Sequence, residues 1–366
     1  MSLAEIIIQK IRSEGPMSFR DFMEMALYYP NLGYYTSPGE KIGTRGDYYT
    51  SSFLTCLFGR LIAKQLEEMW LLTGGKEFTV VEYGAGTGML CNDILMALKN
   101  NRKLYDSLHY CIIERSDAMR EKQQFISNEK LSYHQDIREI PDITGCILSN
   151  EVLDNFPVHQ VMMQDELMET FVDYDNAFKE VFRPAHESLK NYFEELRIVL
   201  PKGFRTEINL HAIEWVRDVA CALKKGFVLT IDYGFPSSEL YSSKRSPGTI
   251  VCYRKHTINY CPYINIGDQD ITAHINFSAL NHWGIKNGLA ASGFTNQASF
   301  LLSLGLTNCL REIELQNDES PGITQSKAVL IRTFLMQMGK KFKVLIQEKG
   351  MDHPRLSGLQ FAERVF

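Results

Sequence analysis

Three glycines alternate at Gly84, Gly86 and Gly88, two residues after the acid Glu82 and directly before Met89–Leu98, a segment with helical periodicity. The run Phe78–Val81 precedes them, so the stretch reads as strand, tight glycine turn and helix N-terminus. That is the nucleotide-side corner of a doubly wound α/β sheet. The spacing selects the ligand. A dinucleotide fingerprint needs G-x-G-x-x-G, which turns helix N–H groups toward a pyrophosphate. Here the third glycine comes one residue early, Met89 fills the later slot, and Glu82 would sit badly beside a pyrophosphate. An acid there suits a cofactor with an ammonium group, and S-adenosylmethionine (SAM) is the common one. The turn Gly84-Ala85-Gly86-Thr87-Gly88 would cradle it.

Ligands of an open α/β sheet bind outside the carboxyl ends of its strands. Glu114 closes the run His109–Ile113, where an acid takes the two ribose hydroxyls. Asp136, with Ile137 beside it, follows Leu131–His134 at the height of an adenine amino group. Asn150, Glu151 and Asp154 follow Cys146–Ser149, and Asp232 and Tyr233 follow Phe227–Ile231. One polar strand end is commonplace. Five acidic ends in register with a glycine turn are more than solvation needs.

The segment Asn150-Glu151-Val152-Leu153-Asp154 would face a methyl acceptor. Methyl transfer from a sulfonium is an in-line displacement, so the protein chiefly positions the nucleophile and balances charge. A guanidinium acceptor stays protonated, with a pKa above ~12. One or two carboxylates can hold it and localise electron density on the attacking nitrogen. Glu151 and Asp154 could form that pair. Alternatively, one caps the next helix and the other reaches the SAM ammonium through water. The N-P-P-Y pattern of enzymes that methylate DNA amino groups is absent.

The elements that must position these residues alternate. Strands are expected at 77–83, 109–114, 131–134, 146–151, 227–232 and 342–346, interleaved with helical segments, which predicts a parallel sheet covered on both faces. Residues 1–75 form a prelude rich in aromatics and glycine, with a short N-terminal helix ending at Gly15-Pro16 and a helical period over 53–72. About seventy residues separate the fourth and fifth strands, more than one crossover helix needs. Within them Val158–Val161 and Glu169–Val172 alternate like a hairpin around Gln164-Asp165-Glu166, and 186–197 and 207–223 read as helices. The stretch Gln316–Ser326 reads as a loop. The expected division is an extension at 1–75, a core at 76–157 and 224–366, and an inserted substrate-side subdomain at 158–223.

Composition narrows the class. At 366 residues and 45% hydrophobic, the chain can bury a large core. The net charge of −5 and the lack of a Lys/Arg block speak against a nucleic-acid partner. The eight cysteines form no C-x-x-C pair, so free thiols are expected and no metal site. No run reaches the ~20 apolar residues of a membrane span. The N-terminus lacks the pattern of a signal or transit peptide, so a cytoplasmic chain is expected.

The motifs together resemble one family, the MidA-like SAM-dependent methyltransferases, over nearly the whole chain and in family order. Gly15-Pro16-Met17-Ser18-Phe19 with Gly33-Tyr34-Tyr35 looks like its opening, and Gly46-Asp47-Tyr48-Tyr49-Thr50-Ser51 like its second signature. The glycine turn, Ile113-Glu114, and above all Asn150-Glu151-Val152-Leu153-Asp154-Asn155-Phe156-Pro157 follow. Asp232-Tyr233-Gly234, Tyr253 to His256, Asp270 to Phe277 and Met338 to Val344 complete the series. Ala85 stands where a proline is frequent, Asn155-Phe156 where alanine-leucine is usual, and Asn276 in place of an aspartate. The resemblance implies a Rossmann-like class I methyltransferase sheet, doubly wound, with an N-terminal extension and an inserted subdomain. It implies that the prelude folds over the SAM site, bringing Gly33, Tyr34, Asp47 and Thr50 near the cofactor. It also implies an acceptor cleft lined by Asp232, Tyr233, Asp270 and His274, with His256 joining Glu151 and Asp154 as catalytic residues. Mitochondrial members methylate an arginine of a respiratory complex I subunit, so a protein partner is implied. A small-molecule methyltransferase and a non-catalytic SAM-binding assembly factor stay open, as does the oligomeric state, a homodimer included.

Overall fold

A capping box starts the chain: the Glu5 N–H donates to Ser2 Oγ and the Ser2 N–H donates to the Glu5 carboxylate. The helix it opens, α1 (Leu3–Glu14), buries Leu3, Ile7 and Ile11 and ends at Gly15, whose φ is +86°. The computed structural model describes residues 1–39, 41, 47, 55–126, 128–316, 329, 336 and 339–363, with 313–316 as backbone only. A short strand β1 (Met17–Ser18) and α2 (Phe19–Tyr28) follow, and then α3 (Leu57–Thr73).

The main sheet begins with β2 (Phe78–Tyr83), which leads through the glycine turn into α4 (Met89–Leu98). It continues with β3 (Leu108–Ile113), β4 (Leu131–His134) and β5 (Ile143–Asn150). The chain then leaves to build a second sheet from β6 (His159–Met163), β7 (Leu167–Asp175), β8 (Ala177–Pro184) and, after α5 (Glu187–Glu195), β9 (Arg205–Ile208). It returns through α6 (Leu210–Ala222) to β10 (Leu223–Phe235). A small sheet of β11 (Val251–Arg254), β12 (Thr257–Asn259) and β13 (Asp270–Thr272) comes next, then β14 (Ile275–Asn276) and α7 (Phe277–Lys286). The last strands are β15 (Ala290–Asn296) and β16 (Phe342–Lys349).

The main sheet runs β15-β16-β10-β5-β2-β3-β4, with β14 beside the end of β10. Strands β10, β5, β2, β3 and β4 are mutually parallel, while β16 pairs antiparallel with both β10 and β15. The sheet is therefore mixed, which corrects the all-parallel expectation, and β15 is a strand the sequence did not announce. Alternation sends neighbouring side chains to opposite faces. Val80 and Leu148 pack with Leu66 and Ile94 on the α3–α4 side, while Val81 and Ile147 pack with Trp215, Val219 and Leu280 on the α6–α7 side. Both faces are covered, so the sheet is doubly wound.

The hairpin expected around residue 165 is present as β6 and β7, but β8 and β9 extend it into a larger sheet, which β1 joins through Met17↔Val172. Packing thus crosses the divisions read from the sequence. The prelude shares a sheet with the insertion, while α3 and α6 belong to the two faces of the main sheet. Gln316 ends a helix that starts at Leu306, and 317–326 lie outside the described residues. Among the described residues no helix is long and apolar enough to cross a membrane.

Candidate active site

The strand order reverses between β2 and β5: the chain proceeds from β2 outward to β4, then jumps back past β2 to β5. Such a switch point opens a crevice at the carboxyl ends of the two strands. A cavity of about 690 Å³, open mouth included, lies there. Its lining comes from the two strand ends (Glu82, Gly84, Ala85, Gly86, Thr87; Asn150, Glu151, Asp154, Asn155), from Leu90 and Tyr233, and from the small sheet through Tyr253, Asp270 and Thr272.

Backbone geometry shapes the glycine turn. Gly84 has φ +59°, and a Cβ there would stand 3.1 Å from Val152 Cγ2, so a side chain would press on the turn that carries Asp154. Gly86 (φ +53°) and Gly88 (φ +81°) are also left-handed, and Gly88 caps α4. Glu82 is only 2% exposed, its carboxylate accepting the Tyr110 hydroxyl at 2.6 Å. Burial pushes its carboxyl up to about 7, against the pull of that hydrogen bond.

The opposite wall is acidic. Glu151 has φ +55°, a conformation rare for a non-glycine residue, while its N–H donates to Ile231 O. Asp232 is fully buried below it. Its Oδ2 accepts the N–H groups of Val152 and Leu153 at 3.2 and 2.8 Å, and its Oδ1 accepts that of Tyr233 at 2.8 Å. Asp232 thereby fixes the 152–154 turn. Asp154 is buried, and its Oδ1 has no hydrogen-bond partner among the described residues. Burial first, then the charges of Asp232, Asp270 and Glu151, push its carboxyl well above the usual carboxylate range. Asp270 accepts the Tyr35 hydroxyl at 3.0 Å and the Asn155 amide at 3.1 Å, and burial lifts it to about 7. Among the described residues lining the cavity there is no Lys, Arg or His. An unsatisfied buried carboxylate oxygen among other acids is costly alone and is satisfied by a bound cation. The site therefore fits a cationic ligand, with Gly84 to Thr87 as its backbone cradle and the acids as its counter-charge.

The remaining expected residues are placed elsewhere. Glu114 is buried at the end of β3, where its Oε1 accepts the Ser116 N–H at 2.9 Å. Asp136 does not line the cavity; it caps the turn that holds Ile137 and binds Arg138 Nε at 2.7 Å, a partner that holds it down at about 2. Gly33 lies in a turn so tight that a Cβ would meet Tyr29 N at 2.5 Å. Tyr34 is buried and donates to Asp47 Oδ2 at 2.8 Å, and Asp47 binds the β11–β12 turn, taking Lys255 N–H at 2.6 Å and His256 N–H at 3.1 Å. His256 sits exposed on that turn and does not line the cavity. His274 packs on Phe235 outside the cavity, where burial and Arg245 hold it down at about 4, so it stays neutral. Thr50 lies outside the described residues. Sequence reading missed Asn155, Tyr253, Thr272 and Tyr110 as site residues; each lay inside or beside a quoted motif or strand, but only the tertiary fold points it at the site.

The buried acids carry a pH signature. Glu82 and Asp270, both near 7, bind protons more readily folded than unfolded, where carboxyls titrate near ~4. The stability they contribute is complete below the unfolded value and is lost as pH rises through about 7. The ligand-free chain should melt a few degrees lower at pH 8 than at pH 6, and saturating SAM should shrink that difference. Scanning fluorimetry at both pH values checks this. A melting point that rises with pH, or a fall that SAM leaves untouched, would remove the buried acids from cation binding.

Comparison with known proteins agrees with this geometry. A family profile described as S-adenosyl-L-methionine-dependent methyltransferase matches residues 61–295. The crystal structure of a methyltransferase-type protein from Burkholderia thailandensis, bound to S-adenosyl-homocysteine, superposes with a TM-score of 0.89. It is 32% identical, covering 99% of this chain and 95% of that one. The mitochondrial protein arginine methyltransferase NDUFAF7 homolog of Caenorhabditis elegans is 27% identical over 93% of this chain and 85% of its own length. The Homo sapiens protein arginine methyltransferase NDUFAF7 is 24% identical over 96% and 84%. A glycine cradle at the switch point, a cation-seeking acidic wall and a matching relative across the whole fold lead to one conclusion: the chain belongs to the MidA-like SAM-dependent methyltransferases, with SAM as its cofactor.

Proposed function

We propose that this chain methylates an arginine side chain of a partner protein. The observation that carries the reading is Asp154, a buried carboxylate with an oxygen unpartnered among the described residues, lining a cavity whose wall also holds Glu151 and Asp270. The bound cofactor supplies an electrophilic methyl group on a sulfonium. Glu82 and the Gly84–Thr87 turn hold the cofactor, with Glu114 at the end of β3 reaching for its ribose. Glu151 and Asp154 then hold the guanidinium by charge-assisted hydrogen bonds and concentrate electron density on the nitrogen that attacks. Transfer leaves that nitrogen with one proton too many. Asp154, whose carboxyl binds protons above its ordinary range, is placed to accept it and pass it to water. Asp232 acts through the 152–154 turn and does not touch the substrate. The relatives named as protein arginine methyltransferases support the same acceptor.

The test is product analysis. Protein extract incubated with the chain and methyl-labelled SAM should, after acid hydrolysis, carry label in methylarginines. Label confined to methyllysine, or to the small-molecule fraction, would overturn the arginine reading.

A further inference from the structure

We propose that the small sheet beside the cavity is a docking shelf for the acceptor protein, selecting an extended segment with an apolar side chain two or three residues from the methylated arginine. This rests on the arginine reading above. The strand order is β12-β11-β13. Tyr253 on β11 stands opposite Ile258 on β12 and opposite Asp270 on β13, so the three side chains form one row on one face. Tyr253 and Asp270 line the cavity. Ile258 therefore continues the cavity wall outward onto the edge strand, where it is 56% exposed. Tyr260, the first residue past the end of β12, is 76% exposed. Arg254 alternates to the other face.

Single exposed apolar residues are ordinary. Ile258 leads in register into an acidic, cation-seeking cavity, with Tyr260 just beyond it in the chain, and that continuity gives them meaning. Strands lie ~4.8 Å apart, so Ile258 stands about 10 Å from Asp270 across two spacings. An extended peptide advances ~3.3 Å per residue, so with its guanidinium among the acids a side chain two or three positions away reaches Ile258 and Tyr260. A small-molecule site would instead be closed. The shelf is also held in place. Its turn, Lys255-His256, has both residues left-handed (φ +46° and +57°), and Asp47 pins both N–H groups while Tyr34 holds the Asp47 carboxylate.

Two synthetic peptides test the shelf. Both carry one arginine in a glycine-serine background; one has leucine two residues to each side, the other serine. With labelled SAM, the leucine peptide should show a kcat/KM about tenfold or more higher, as expected for burying an apolar side chain or two. The Ile258→Ser/Tyr260→Ser double variant should cut that preference to less than about twofold, with SAM affinity and melting temperature as in the parent. Equal labelling of both peptides by the parent, or an undiminished preference in the variant, overturns the shelf alone. Labelling of neither peptide overturns the arginine reading and the shelf together. A parent dimer that the double variant dissolves would mean that a second copy covers this face, and overturns the proposal as well.

Discussion

Asp154→Asn is expected to lower methyl-transfer turnover by about a hundredfold or more, the typical effect of losing one preorganised electrostatic partner. SAM affinity should stay within a few-fold of the parent. The amide keeps the volume of the carboxylate but cannot balance a guanidinium. Stability separates this outcome from a packing defect. Asp154 is buried among Glu151, Asp232 and Asp270, which raise its carboxyl in addition to burial itself. Removing one of these charges relieves repulsion, so the variant should melt at or above the parent temperature at pH 8. Glu151→Gln should show the same rate loss from its strained, left-handed position at the cavity. Rate and SAM affinity falling in parallel would move both acids to the cofactor. A lower melting temperature for Asp154→Asn would make that residue structural.

Gly84→Val should abolish SAM binding in calorimetry, a loss on the order of a hundredfold or greater. Two effects combine. At φ +59° a β-branched side chain is strained, by roughly 1–2 kcal/mol or more. Its Cβ would also sit 3.1 Å from Val152 Cγ2, so Val152 must give by a few tenths of an ångström, and the two further methyls of the valine add to that pressure on the 152–154 turn. The two turns face each other across the cavity, so pressure between them disturbs both cofactor and acceptor contacts. The helical circular-dichroism signal should persist, because β2 and α4 are anchored by Val80, Ile94 and Leu95 in the core below. Retained SAM affinity in a folded variant would sink the cradle.

The cofactor corner was legible in the sequence because its cause is local. Strand, glycines and helix are contiguous, and Met89–Leu98 is a helix with the bounds its periodicity gave. Glu82, Glu151 and Asp154 could be read because strand-end acids need no knowledge of pairing. Strands β8 and β15 were not legible, for two different reasons. Strand β8 is an edge whose charges, Lys179, Glu180 and Arg183, blur the alternation. Strand β15, Ala-Ala-Ser-Gly-Phe-Thr-Asn, has few β-branched or aromatic residues and forms because β16 lies beside it. The antiparallel direction of β16 depends on where the chain re-enters the sheet, which no local pattern states. The cavity's third wall was half read. Asp270 came from the family resemblance, but Tyr253 reaches the cavity through β11–β13 pairing, a long-range fact. Asp47 and His256 were expected near the chemistry. They meet each other instead, through the β11–β12 turn, because a left-handed two-residue turn leaves N–H groups that Asp47 accepts.

The most direct test is a crystal structure of the chain with S-adenosyl-homocysteine and the arginine-containing leucine peptide. The expected result places the homocysteine portion on the Gly84–Thr87 turn and the guanidinium within about 3.2 Å of both Glu151 and Asp154 Oδ1, the reach of a hydrogen bond. A guanidinium bound away from both acids, with Asp154 Oδ1 turned to the cofactor, would contradict it.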